Sequence, residues 1–436
     1  MRTGAGAPPF SFAMQPARRD FLAAGAAWLA GATFGVRAAP AAAGAKVVVV
    51  GGGYGGATAS KYIRKLSGGA IDVVMIEREN TFVSCPMSNL VIGGSLRLAD
   101  ITLGYDGLDR WGVRRVRGEA VAIDPVAHKL RLADGARLAY DRLILSPGID
   151  FMWDAVPSLA SPEARNRVLH AWQAGEQTAA LRRQLEAMRD GGVFVLHVPK
   201  MPYRCAPAPY ERACQVAFYL QKHKPRSKVI VLDANPEVQS KKAIFTAAWS
   251  ERYKGMVEYR AESELADVDV SSMTAKLDFE DVKADVLNVI PPQYAGAIAR
   301  QLAMANANAR FCQVDFLTYE STAQAAIHVL GDAIQTAPLM AKAGHTANRQ
   351  AKICAAAVVA LLAGKEVNAS PSIENVCYSF VDDRRAAHVA SIHRYDAAGK
   401  TMLPVEGRTE VSAAPSAQDG AQARAWARDI WVDMLS

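Results

Sequence analysis

The chain has 436 residues, half of them apolar and 21% charged, with six cysteines and a formal net charge of +7. That length exceeds one hydrophobic core and allows two or three domains; the balance excludes a disordered chain, a collagen-like repeat and a multi-span membrane protein. Cysteines this sparse do not form a small disulfide scaffold, and Lys and Arg make no basic stripe with interleaved aromatics, so nucleic acid is not an expected partner.

Residues 1–43 read as an export signal. Arg18-Arg19 precede Asp20-Phe21-Leu22, an apolar run follows over 21–36, and Arg37 leads into an alanine-rich stretch offering Ala41-Ala42-Ala43 for cleavage. The run is shorter than the ~20 residues that a bilayer core needs. An arginine pair ahead of Phe-Leu resembles the twin-arginine signal, which exports proteins already folded around a cofactor. The alternative is an uncleaved anchor. The mature chain is expected to begin near Gly44, to lack a membrane span and to work in the periplasm.

Lys46 then opens a β-branched run over 47–50, the pattern of a strand covered on both faces. It leads into Gly51-Gly52-Gly53-Tyr54-Gly55-Gly56, a helix over 57–66 and a second strand over 71–76 ending at Glu77. This is GxGxxG with Gly51, Gly53 and Gly56 in the motif positions. Gly51 permits the tight turn, Gly53 lets backbone approach a pyrophosphate and Gly56 allows close helix–strand packing. Glu77, 21 residues after Gly56, is placed to accept from a ribose hydroxyl. Glycines alone would be weak; strand, glycines, helix, strand and terminal acid together predict a dinucleotide site.

Further along, Tyr140-Asp141-Arg142-Leu143-Ile144-Leu145-Ser146-Pro147-Gly148 resembles the strand and turn that two-dinucleotide flavoproteins place after their first Rossmann segment. Ala326-Ile327-His328-Val329-Leu330-Gly331-Asp332-Ala333 resembles their second FAD signature. The likeness puts Gly331 and Asp332 at the ribityl chain and aims a helix over about 343–362 at the flavin. It implies FAD and a dinucleotide fold interrupted over about 150–290. Within the insertion, 193–198 and 228–232 read as strands of a second Rossmann unit. The intervening 199–211 holds four prolines and no glycine, so no backbone turn is free to meet a second pyrophosphate and NAD(P)H is not expected.

Three more segments sharpen the likeness: Val83-Ser84-Cys85-Pro86-Met87-Ser88-Asn89, Arg204-Cys205 through Tyr210-Glu211-Arg212-Ala213, and Asn375-Val376-Cys377-Tyr378-Ser379. With Ile290-Pro291-Pro292-Gln293 and the glycine motif, residues 45–436 resemble the flavoprotein subunit of flavocytochrome c sulfide dehydrogenase. The resemblance implies a thioether from Cys85 to the FAD ring, a redox-active disulfide between Cys205 and Cys377, and an acid/base role for Glu211. From the residues alone, Cys85 could equally be a small buried hydrophobe, the disulfide a staple, and Glu211 a helix cap or surface charge. Cys214, Cys312 and Cys354 have no assigned partner, and at least one should be a free thiol.

The chain holds no CxxCH for haem and no cysteine cluster for iron–sulfur or zinc, so no metal is expected and the electron acceptor must be a separate molecule. The resemblance implies a c-type cytochrome, with hydrosulfide as substrate. The expected fold is α/β: two Rossmann-like dinucleotide-binding domains as in glutathione reductase, the second degenerate, plus a C-terminal interface domain. The predicted divisions are the signal at 1–43, FAD-binding segments at 44–150 and 291–365, the degenerate NAD-type domain at 151–290 and the interface domain at 366–436. Trp426, Ile430, Trp431 and Met434 fall roughly on one helical face, more in keeping with core packing than with docking. Asp382-Asp383-Arg384-Arg385 is more charged than the family pattern after its second cysteine. Two rival readings are a sulfide:quinone oxidoreductase and a flavin-loaded sulfur carrier or modulator of a thiosulfate-oxidising system.

Overall fold

The computed structural model describes residues 44–436; the expected export signal, with Arg18 and Arg19, lies outside the described residues. Strand β1 (Lys46–Val50) runs into the glycine loop and helix α1 (Tyr54–Leu66), followed by β2 (Asp72–Glu77). Next come β3 (Val113–Arg117) and β4 (Arg142–Leu145), then β5 (Val193–Val198), α2 (Ala208–His223), β6 (Lys228–Asp233), β7 (Val257–Arg260) and β8 (Val286–Val289). The chain continues through β9 (Ile327–Val329) and α3 (Gly344–Leu362) to β10 (Ser372–Phe380), β11 (Ala386–Asp396), β12 (Thr401–Pro404) and α4 (Ala417–Leu435).

Val47, Val48, Val49 and Val50 are all buried, because β1 is central in its sheet and stiff β-branched side chains suit a pleat covered on both faces. That sheet is parallel, in the order β9-β4-β1-β2-β3. β9 therefore returns to a sheet begun by residues nearly 300 positions earlier. The excursion between them builds a second parallel sheet, β7-β6-β5-β8. The α/β class is as the sequence predicted. Ligands in such folds bind beyond the carboxyl ends of the strands, here at Gly51 after β1 and at Gly331 after β9.

The C-terminal segment is antiparallel. β10 and β11 pair from Ser372↔Arg394 to Phe380↔Ala386, and β12 extends the sheet. The charged run 382–385 makes the turn of this hairpin. The buried Asp382 carboxylate accepts from the amides of Arg384 at 2.8 Å and Arg385 at 2.6 Å, and from Arg385 Nε at 2.8 Å. Arg252 Nη2 faces it at 3.2 Å. The charge that departs from the family pattern is thus a device for closing the hairpin. Among the described residues no helix is long and apolar enough to cross a membrane.

Candidate functional site

A cavity of about 470 Å³ opens at the ends of β1 and β9. Gly51, Gly53, Glu77, Cys85, Cys205, Glu211, Gly331, Asp332 and Cys377 all line it. Gly56 lies beneath: a Cβ there would sit 1.8 Å from the Gly51 carbonyl oxygen, so only glycine lets α1 close on the loop. Gly51 itself has φ +100°, where a side chain is strained. Gly53 has nothing within 4 Å of where a Cβ would stand, leaving its face open to a ligand at the start of α1. Glu77 pins the loop, accepting from Gly52 N at 2.6 Å and from Arg78 N at 2.7 Å. Asp332 Oδ2 meets Arg204 Nη1 at 3.5 Å, whereas its Oδ1 is buried with no partner among the described residues. An orphaned carboxylate oxygen costs on the order of 1–3 kcal/mol and asks for a donor from a bound molecule.

Cys205 stands in the loop between β5 and α2, with φ 56° and its amide bound to the Lys342 carbonyl at 2.8 Å. Cys377 lies within β10. Tertiary structure brings these half-buried residues together, and their free thiols share a hydrogen bond. That bond and the Lys241 charge outweigh burial at Cys377, pulling its thiol down to about 7. The same hydrogen bond, with burial and the Cys377 charge, pushes Cys205 well up. The pair is therefore asymmetric: Cys377 is the more acidic thiol and Cys205 the less acidic one.

Cys85 sits ahead of the short helix Ser88–Ile92, and Arg204 Nη2 donates to its Sγ at 3.2 Å. Arg204 also donates to the Trp172 carbonyl, so one guanidinium links Cys85, Trp172 and Asp332. The sequence reading missed Arg204 as a site residue; its only signal was its place beside Cys205 in a loop stripped of glycine.

Glu211 occupies the first turn of α2 and is no surface charge. Its Oε1 accepts from Phe380 N at 2.7 Å and its Oε2 from Asn89 Nδ2 at 2.8 Å, tying α2 to β10 and to the 88–92 helix. Burial raises its proton affinity, with those two hydrogen bonds opposing. Arg212, next in sequence, is fully buried and donates to Asn89, His170, Ala171 and Asn288. Burial brings it down to about 9. Cys214, Cys312 and Cys354 are free and buried away from the cavity lining. Burial pushes Cys312 up to about 12 and raises the other two as well. In α4, Ile430, Trp431 and Met434 are buried, as core packing requires, while Trp426 reaches the cavity. Among the described residues no group of three or more His, Cys, Asp or Glu could hold a metal ion.

Three family models match the chain. Residues 45–186 match the pyridine nucleotide-disulphide oxidoreductase family. Residues 178–291 match the central region of the sulfide dehydrogenase [flavocytochrome c] flavoprotein chain, and 369–435 match the flavocytochrome c sulphide dehydrogenase flavin-binding region. The sulfide dehydrogenase [flavocytochrome c] flavoprotein chain of Chlorobaculum thiosulfatiphilum is 54% identical over 46 residues, 11% of this chain and 94% of that one. The mitochondrial sulfide:quinone oxidoreductase of Dictyostelium discoideum is 25% identical over 298 residues, covering 66% of this chain and 65% of that protein's length. Among solved structures, the sulfide:quinone oxidoreductase of Aquifex aeolicus superposes with a TM-score of 0.73 at 15% identity, over 89% of this chain and 91% of that one. The covalent putidaredoxin reductase–putidaredoxin complex gives 0.61 at 16% identity, over 89% and 93%. At such identities these two structures speak to the fold alone. FAD suits the cavity: the open face of Gly53 at the start of α1 and the unpaired Asp332 Oδ1 are what a pyrophosphate and a ribityl chain require.

Proposed function

The chain belongs to the flavocytochrome c sulfide dehydrogenase flavoprotein family, and on that premise we propose that it is a periplasmic, FAD-dependent sulfide dehydrogenase that delivers electrons to a c-type cytochrome. The observation that carries this reading is the contact between Cys205 and Cys377 on the cavity wall. Joined as a disulfide, the pair is electrophilic sulfur, and hydrosulfide is a small anionic thiol-like nucleophile. Its attack forms a new S–S bond to one cysteine and breaks the bridge, and the bonding pair departs on the other cysteine as a thiolate. Charge balances: one anion enters and one thiolate leaves, while the persulfide retains the proton. Glu211, its carboxyl made more basic by burial, is placed to take that proton as the persulfide is processed.

FAD, when bound, supplies a two-electron acceptor. Gly51, Gly53 and Gly56 with Glu77 would hold its dinucleotide end, Gly331 and Asp332 its ribityl chain, and Cys85 its ring through a thioether. The four prolines of 199–211 leave no second pyrophosphate turn, so NAD(P)H plays no part, and haem belongs to the partner. The twin-arginine-type signal would export the chain already folded.

The test is anaerobic titration of the purified protein with sulfide, following flavin absorbance with and without cytochrome c. Bleaching by sulfide and recovery on adding cytochrome c are expected; Cys205→Ala and Cys377→Ala should each abolish the bleaching. Full bleaching in either variant would end the disulfide mechanism. The 298-residue likeness to a sulfide:quinone oxidoreductase favours a second acceptor, a quinone; comparing cytochrome c with a water-soluble quinone decides between them.

A further inference from the structure

Lys241 is nearly buried, at 9% exposure, and adopts φ 53°, a conformation that non-glycine residues seldom take. Its Nζ donates to the Cys377 carbonyl at 2.9 Å and to Ser379 Oγ at 2.8 Å, so the ammonium is fixed to the strand that bears Cys377. Among the described residues no carboxylate forms an ion pair with it. The next residue, Lys242, behaves differently and pairs with Glu237 at the surface. Burying an ammonium is costly without a compensating negative charge. Burial draws Lys241 below its ordinary range, and the charge that most opposes this is Cys377, followed by Glu211, Cys205 and Asp419. Facing Cys377 are Cys205, Lys241 and Glu211; facing Cys205 are Cys377, Glu211 and Arg204.

We propose that Lys241 decides which sulfur hydrosulfide attacks: its ammonium stabilises negative charge on Cys377, so the bridge opens with Cys377 as leaving group and the persulfide forms on Cys205. The inference rests on the sulfide-oxidising reading above. Hydrosulfide sulfur bonds to Cys205 Sγ, the Cys205–Cys377 bond breaks, and its electron pair stays on Cys377 Sγ, the sulfur whose negative charge the cation on its strand favours. In thiol–disulfide exchange the sulfur that better tolerates negative charge leaves faster. Lys241 acts through Cys377, not on the substrate, and is a positioning residue.

The holoprotein, reduced anaerobically with a phosphine, is pulsed with iodoacetamide across a pH series, and peptide masses report alkylation at Cys205 and at Cys377. Wild type is expected to label first at Cys377, and Lys241→Met to raise the labelling midpoint by about one pH unit, roughly tenfold less thiolate below it. Lys241→Arg should restore the wild-type midpoint, which a merely structural role would not predict. If Lys241→Met does not fold, Ser379→Ala keeps the cation but removes one anchor, and should move the midpoint the same way by less. An unmoved midpoint in the folded variant, or first labelling at Cys205 in wild type, overturns the proposal. So does a persulfide trapped on Cys377 after a brief sulfide pulse. If sulfide leaves a persulfide on neither cysteine and bleaches no flavin, the sulfide reading fails, while the alkylation midpoints still decide the role of Lys241.

Discussion

The indole N–H of Trp431 donates to the hydroxyl of Tyr54, inside the glycine motif, at 3.2 Å. Tyr54 in turn bonds Ser84 Oγ at 2.7 Å, the residue before Cys85. Two residues beyond Trp431, the Asp433 carboxylate accepts from Tyr62 of α1 at 2.7 Å and Asn348 of α3 at 2.8 Å, and pairs with Lys352 of α3 at 2.9 Å. α4 therefore clamps the two dinucleotide-facing helices and the loop that presents Cys85.

Trp431→Phe removes the donor and keeps most of the ring volume, and should cost about 0.5–1.5 kcal/mol, whereas Trp431→Ala leaves a full cavity and should cost about 3–5 kcal/mol. Urea unfolding of the two variants checks the ratio. Equal losses would mean that the ring volume shared by Trp and Phe contributes nothing at this site.

Asp382 closes the β10–β11 hairpin. Burial alone would raise its carboxyl, but the amides of Arg385 and Arg384 and the Arg385 guanidinium hold it below its ordinary 3.8. A depressed carboxylate stabilises the fold above its unfolded value, and the contribution disappears as pH falls through the folded one. Asp382→Asn should cost about 1.5–3 kcal/mol near neutrality. The gap to wild type should close in acid, as read from unfolding midpoints over a pH series.

Glu211 has the opposite sign. Burial raises it above its ordinary 4.5, so its contribution to stability is present in acid and is lost as pH rises through the folded value. Glu211→Gln should gain on wild type in thermal stability with rising pH, while sulfide turnover falls by about 10²-fold, the scale of a lost general acid–base group. A stability gap to wild type that does not move in the variant's favour as pH rises, together with full turnover, would contradict both halves of the prediction.

The Cys85 attachment is read by acid precipitation. Flavin is expected to remain with the wild-type pellet and to pass into the supernatant from Cys85→Ser. Release from wild type would sink the thioether.

The first dinucleotide unit was legible because its signal is local: four valines, a glycine turn and a terminal acid stand in one stretch, and the structure folds them as read. The Cys205–Cys377 contact was not legible from spacing, since 172 residues separate them and only the packing of α2 against β10 joins them; the family resemblance supplied the pair. Arg204 and Lys241 were missed because nothing periodic marks them, and Trp426, read by its periodicity as core packing, lines the cavity instead. An arginine beside a cysteine, or a lysine beside a second lysine, reads as ordinary solvated charge until a strand from far along the chain buries it. The 382–385 run, read only as more charged than the family pattern, is turn chemistry, where the Asp382 carboxylate binds its own following amides.

The hydrogen bond between Tyr54 and Trp431 joins residues 377 positions apart. On a translating ribosome the glycine loop is exposed long before the helix that braces it has been made. A nascent chain halted within the preceding hairpin would therefore hold an open, unbraced cradle.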